Sequence, residues 1–121
     1  MGVTQTLALV LDISRDQRMG RCAESYGEDP TLAAALGAAY SAGLGAEETN
    51  GLKAEGVAKH FLGFHASEGG IHGTACSISE RALREVYAKP FQAAINEGGL
   101  RGIMSCYILS TAYPPLRRAK S

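Results

Sequence analysis

Apolar residues recur along this chain in two rhythms, and the alternation between them reads βαβαβ. Residues 6–13 (TLALVLDI), 56–62 and 102–108 are short, nearly unbroken apolar runs. The first is dense in Leu, Val and Ile, the composition of a strand buried on both faces of a parallel sheet. Between the runs the apolar positions fall three and four apart. Leu32, Ala35, Leu36, Ala39 and Tyr40 form one stripe, expected to pack on the sheet. Leu83, Val86, Tyr87, Phe91, Ala94 and Ile95 form the other. Both connections are long enough for helical crossovers between parallel neighbours.

Local signals bound the two helices. Asp29-Pro30 offers an N-cap followed by a proline at the first helical position, where a missing N–H is harmless, and Gly43 and Gly45 are natural terminators. Ser79 is the expected N-cap of the second helix, with Ile78 placed to pack on Leu83 as a hydrophobic staple. Gly98 and Gly99 end it. Pro90 falls inside the stripe and removes a helical hydrogen bond, which predicts a bend there.

Polar residues collect after each apolar run, at the carboxyl ends of the strands, where ligands bind in parallel α/β architectures. The first run opens into SRDQRMGRCAESYGED, carrying Arg15, Asp16, Arg18, Arg21, Glu24 and Glu28. The second ends in Lys59-His60 before the loop GFHASEGGIHG, and the third reaches Ser105, Cys106 and Tyr107. Arg and Lys donate hydrogen bonds, a neutral His donates one and accepts one, and Tyr adds an apolar ring with a hydroxyl tip. Such a rim suits a neutral, hydroxyl-rich ligand such as a sugar, and Arg21 and Lys59 would also attract a phosphate ester. Lys59 and His60 are adjacent, so in a regular strand they diverge. Both reach one pocket only if the peptide between them is unusual.

The plain structural readings are narrower. Arg21 is equally a loop arginine paired with Glu24 or Glu28, and Glu80, Arg81, Arg84 and Glu85 read as a solvated helix face. His60, His65 and His72 with Glu68 lack the spacings of a zinc site, so no metal is assigned. No G-K-[ST] follows the glycines at 69, 70 and 73, and there is no G-x-S-x-G elbow.

Composition adds exclusions. A chain of 121 residues with 45% hydrophobic content makes at most one domain with a real core. Twelve basic and twelve acidic residues cancel, leaving no footprint for nucleic acid or an anionic membrane. Cys22, Cys76 and Cys106 form no C-x-x-C pair, no cofactor motif is present, and no apolar stretch reaches membrane-spanning length. A soluble chain is expected, its compartment left open.

In order and spacing, GVTQTLALVLDISRDQRMGRCAESYGEDP, KHFLGFHASEGG, SISERALREVYAKPFQAAI and IMSCY resemble the N-terminal barrel domain of glycoside hydrolase family 3, across nearly the whole chain to about Tyr107. The resemblance implies a βαβαβ segment of a (β/α)₈ barrel, parallel strands with helices on the outer face, incomplete in this chain. It implies that Arg21, Lys59 and His60 bind hydroxyls of the sugar at the site of cleavage and that Tyr107 lines the same pocket. Members are retaining enzymes that use a carboxylate nucleophile and a second carboxyl as acid and base.

Neither carboxyl is assigned here, so no residue of this chain is expected to be catalytic. The family's nucleophilic aspartate stands on a later strand, commonly beside Ser and Trp, whereas this chain has only Asp12, Asp16 and Asp29 and no Trp. In many members the acid/base glutamate comes from a following domain. The N-acetylglucosaminidase branch uses an Asp-x-His loop, and FLGFHASEGGIHG has no Asp, which favours a β-glucosidase or β-xylosidase type. After Tyr107 the last 14 or so residues depart from the family pattern. The expectation is a sugar-binding piece of a glycosidase, inactive alone and prone to self-association through open sheet edges. The alternatives are a non-catalytic sugar-binding module and a truncated product without independent function.

Overall fold

A computed structural model describes residues 2–46 and 54–108, so the divergent tail lies outside the described residues. Three parallel strands, β1 (Gln5–Val10), β2 (Glu55–Phe61) and β3 (Gly102–Ser105), form one sheet in sequence order. Val10 pairs with Lys59 and Ala58 with Ile103, and a Leu11 N–H to Lys59 carbonyl bond of 2.9 Å carries the first pairing past the end of β1. The strand ends that bear the polar residues therefore lie side by side.

Helix α1 (Pro30–Gly45) begins as the sequence predicts. Asp29 accepts hydrogen bonds from the backbone N–H groups of Thr31 at 2.7 Å and Leu32 at 3.2 Å, satisfying two otherwise orphaned donors. Its buried face is not the predicted one. Ala33, Ala34, Gly37, Ala38 and Ser41 face inward, whereas Leu32 is 52% exposed and Leu36 and Tyr40 lie on the exposed side with it. Small side chains let the helix approach closely. A Cβ on Gly37 would stand 2.6 Å from a Leu11 methyl, so a large residue on this face would push α1 off the sheet.

The second helical region also differs from a single bent helix. Ser79 caps α2 (Glu80–Ala82), accepting the Ala82 N–H at 3.2 Å, and Ile78 and Leu83 both reach the space beside Gly63. A π-helical turn (Leu83–Tyr87) follows, in which the Ala88 N–H donates to the Leu83 carbonyl at 2.7 Å, and α3 (Lys89–Asn96) completes the crossover. Pro90, which has no N–H to give, sits just beyond the widened turn. Leu83, Phe91 and Ala94 of the predicted stripe are buried, while Ile95 is exposed. Arg84 with Glu80 and Arg81 with Glu85 make i,i+4 pairs on the solvated face.

Leu9, Leu11, Ala58, Phe91, Ala94 and Leu100 form the main core between sheet and helices. A smaller cluster of Met19, Phe64, Cys76 and Ile108 lies beneath the loops at the strand ends. Leu7 and Ile103 remain exposed, so β1 is not covered on both faces over its length as its composition predicts.

Where α1 crosses α3, Gly98 is the contact. A Cβ there would come within 2.7 Å of the carbonyls of Ala38 and Ala94 and of the Ser41 Cβ. Backbone atoms cannot yield like a flexible side chain. Gly98→Ala is therefore expected to destabilise the chain by about 1–3 kcal/mol, the usual cost of overpacking, read as a lower urea midpoint by circular dichroism. An unchanged midpoint would show that the helices separate freely.

Candidate functional site at the strand ends

Asp12, just past β1, is the residue around which the strand-end loops are organised, and it is 3% exposed. Its Oδ2 accepts the backbone N–H of His60 at 3.2 Å and lies 2.8 Å from His60 Nδ1. His65 Nε2 is 3.7 Å from the same oxygen, and His65 Nδ1 is 3.2 Å from Ser14 Oγ. His60 and His65 are each 2% exposed. A short carboxylate at the end of an apolar strand thus gathers two buried imidazoles from the next strand and its loop. Among the described residues, Asp12 Oδ1 and His65 Nε2 are the buried side-chain atoms without a hydrogen-bond partner, and both belong to this cluster.

The peptide between Lys59 and His60 is cis, the unusual linkage that the adjacency of these two residues called for. Lys59 is half-buried and His60 buried. The loop before α1 brings Arg21 over them. Its Nε and Nη2 each donate to Glu24 at 2.7 Å, a two-pronged pair, which leaves Nη1 3.5 Å from His60 Nε2. Arg21 therefore makes the Glu24 pair of the plain structural reading and also meets His60. Glu24's carboxyl is held below the usual glutamate range chiefly by the Arg21 hydrogen bonds, against partial burial, with the charges of Arg21 and then Lys59 adding to the effect.

Aromatic rings close the floor. Phe64, fully buried, has its ring centroid 4.5 Å from that of His60 and lies under the Arg21 guanidinium at 5.6 Å. Tyr107, 54% exposed, stands 5.8 Å from His60 and 5.3 Å from His72. Arg21 and Tyr107 thus both meet His60, and Lys59 adjoins His60 in β2. Two supports hold the surrounding loops. Asp16 caps the short turn Gln17–Met19 and grips Arg18, which holds its carboxyl down at about 2. Gly70, at φ +68°, lets its loop touch the Arg18 backbone, where a Cβ would stand 2.7 Å away.

Sequence reading passed over Asp12 and Phe64 as members of the site, and considered His65 only as a metal ligand. One signal for Asp12 was present, a carboxylate inside TLALVLDI, because ionised groups are rarely buried without a partner.

Burial lowers the His65 pKa below its ordinary 6.5, opposed by the charge of Asp12 and reinforced by that of Arg21. The unfolded chain then binds the proton more readily than the folded one. The stability contributed by neutral His65 is complete above about pH 6.5 and is lost as the pH falls from there through the folded value. Urea midpoints between about pH 7.5 and 5 are expected to fall for the wild type and to fall less for His65→Gln. Equal slopes would remove His65 as the cause.

Comparison with known proteins identifies the family. Residues 1–119 match the model of the glycosyl hydrolase family 3 N-terminal domain. A β-xylosidase from Formosa agariphila is 43% identical over 108 residues, covering 86% of this chain and 15% of that protein, and a β-glucosidase from Rhizobium radiobacter is 37% identical over 108 residues, covering 88% and 12%. Among solved structures, a β-glucosidase from Erythrobacter marinus superposes with a TM-score of 0.86 at 28% identity over 93% of this chain and 15% of that one. A β-glucosidase from Listeria innocua in complex with glucose gives 0.82 at 32% identity over 90% and 16%. The chain thus spans about a sixth or less of each of these four proteins.

Proposed function

The chain belongs to the glycosyl hydrolase family 3 N-terminal domain, and on that premise we propose that it is part of a retaining β-glycosidase of the β-glucosidase or β-xylosidase type. Its contribution is to hold the sugar. Arg21, Lys59 and His60 bind hydroxyls, and Tyr107 lines the pocket. The nucleophile and the acid/base group come from outside these residues, so the chain alone does not cleave the bond.

The observation that carries this reading is the meeting of Arg21 and His60 at 3.5 Å, with Lys59 next to His60 at the end of β2. One side of that meeting point offers N–H donors and the other an imidazole nitrogen. A sugar hydroxyl, which both donates and accepts, can meet both from beside the pair. The glucose complex of the Listeria innocua relative supports a carbohydrate ligand. Among the described residues, Asp12 Oδ2 bonds to His60 and Glu24 to Arg21. With β1 and β3 both edge strands of an open sheet, the isolated chain is also expected to self-associate.

Calorimetry with glucose, xylose and cellobiose tests the binding half, and saturable heat in the millimolar range is the expected result. No heat at such concentrations would count against it. Incubation with aryl β-glucoside and β-xyloside tests the other half. Turnover that a single Asp or Glu substitution within the chain abolishes would overturn the claim that it cannot cleave.

A further inference from the structure

His60 is gripped at both ring nitrogens by groups that can each play only one part. On one side Asp12 Oδ2, which also accepts the His60 backbone N–H, lies 2.8 Å from Nδ1. A carboxylate has no hydrogen to give, so the ring must donate through Nδ1. On the other side Arg21 Nη1 lies 3.5 Å from Nε2, and a guanidinium has no acceptor. That contact requires a lone pair on Nε2. Both neighbours therefore select the same singly protonated ring, with hydrogen on Nδ1 and none on Nε2.

The geometry assigns Asp12 as the positioning residue that fixes this tautomer, and Nε2 of His60 as an acceptor reserved for a ligand hydroxyl. The assignment rests on the sugar-binding reading above and sharpens it. A hydroxyl entering beside Nε2 takes the place of the Arg21 N–H at that one lone pair, donating its hydrogen to His60 while its oxygen receives the displaced N–H of Arg21. An ether oxygen at the same place can satisfy Arg21 but has nothing to give His60. The pair thus selects for a free hydroxyl over its O-methyl counterpart. His65 contributes from behind, since its Nε2 is 3.7 Å from the Asp12 oxygen that holds His60.

Long-range proton–nitrogen correlation spectra of the ¹⁵N-labelled chain read the tautomer of each histidine, with the His60→Gln spectrum assigning the signal. The wild type is expected to show a pyrrole-type Nδ1 and a pyridine-type Nε2 for His60. Asp12→Asn, which keeps a carbonyl oxygen in place, should retain that pattern, whereas Asp12→Ala should lose it toward the Nε2–H form that free imidazole favours in water. A pyridine-type Nδ1 in the wild type overturns the assignment. Methyl β-D-glucopyranoside is the probe for the second half. Saturating it should shift the Nε2 resonance toward the hydrogen-bonded range and leave Nδ1 in place, and binding detected by calorimetry with no movement of Nε2 overturns the acceptor role. An Nδ1–H spectrum with no binding heat supports the tautomer assignment and sinks the sugar-binding reading instead.

Discussion

Asp12→Ala is expected to cost about 3–5 kcal/mol of stability, the largest effect of any single change among the site residues. The carboxylate is 3% exposed and accepts two hydrogen bonds from His60. Alanine leaves the His60 backbone N–H buried without an acceptor and ring Nδ1 without a partner, and desolvated polar groups left unpaired cost about 1–3 kcal/mol each. His65 loses the charge that faces its Nε2 as well. Asp12→Asn should cost less, because an amide oxygen in the same place can still accept from both His60 donors, though without the charge. Urea unfolding followed by circular dichroism at matched protein concentration measures both. A loss below about 1 kcal/mol for the alanine variant would mean that water reaches the cluster and that its burial is not maintained.

Arg21→Ala should do the reverse, sparing the fold and weakening the ligand. Arg21 is only partly buried and its pair with Glu24 is largely solvent-facing, so the exposed bridge itself contributes about 0–1 kcal/mol. Its Nη1 at the rim is a charged donor to a hydroxyl, worth about 1.5–3 kcal/mol, which corresponds to roughly 10- to 100-fold weaker binding of methyl β-D-glucopyranoside by calorimetry. Arg21→Lys should not restore it, because a single ammonium cannot hold Glu24 with two N–H groups while presenting a third toward His60. Full affinity in either variant would place the ligand elsewhere.

The strand order and the caps at Asp29 and Ser79 were legible from residue patterns, because each depends on chemistry local to a few positions, whereas the grouping of Arg21, Lys59, His60 and Tyr107 came from the family resemblance. The inward face of α1 was not legible. That helix carries no charged residue between Pro30 and Gly45, so no polar side marks which stripe is wet, and Leu and Tyr outweigh Ala and Gly in any hydrophobic reading. Packing distance decided instead, as Gly37 against Leu11 makes clear. The widened turn before Pro90 was likewise anticipated only as a bend, since a missing N–H does not say how the neighbouring carbonyls will rearrange. Asp12 escaped notice because its partners are 48 and 53 residues away in sequence and a parallel pairing brings them together.

The double attachment of His60 to one oxygen of Asp12 has a consequence for affinity. A residue held through its backbone N–H and its ring to the same atom has both its peptide and its side-chain torsions settled during folding. An arriving ligand does not have to freeze them, and immobilising such a side chain at binding would otherwise cost about 0.5–1.5 kcal/mol. The entropy of orienting His60 is thus charged to the fold, and the pocket meets its ligand with that part of the geometry already set.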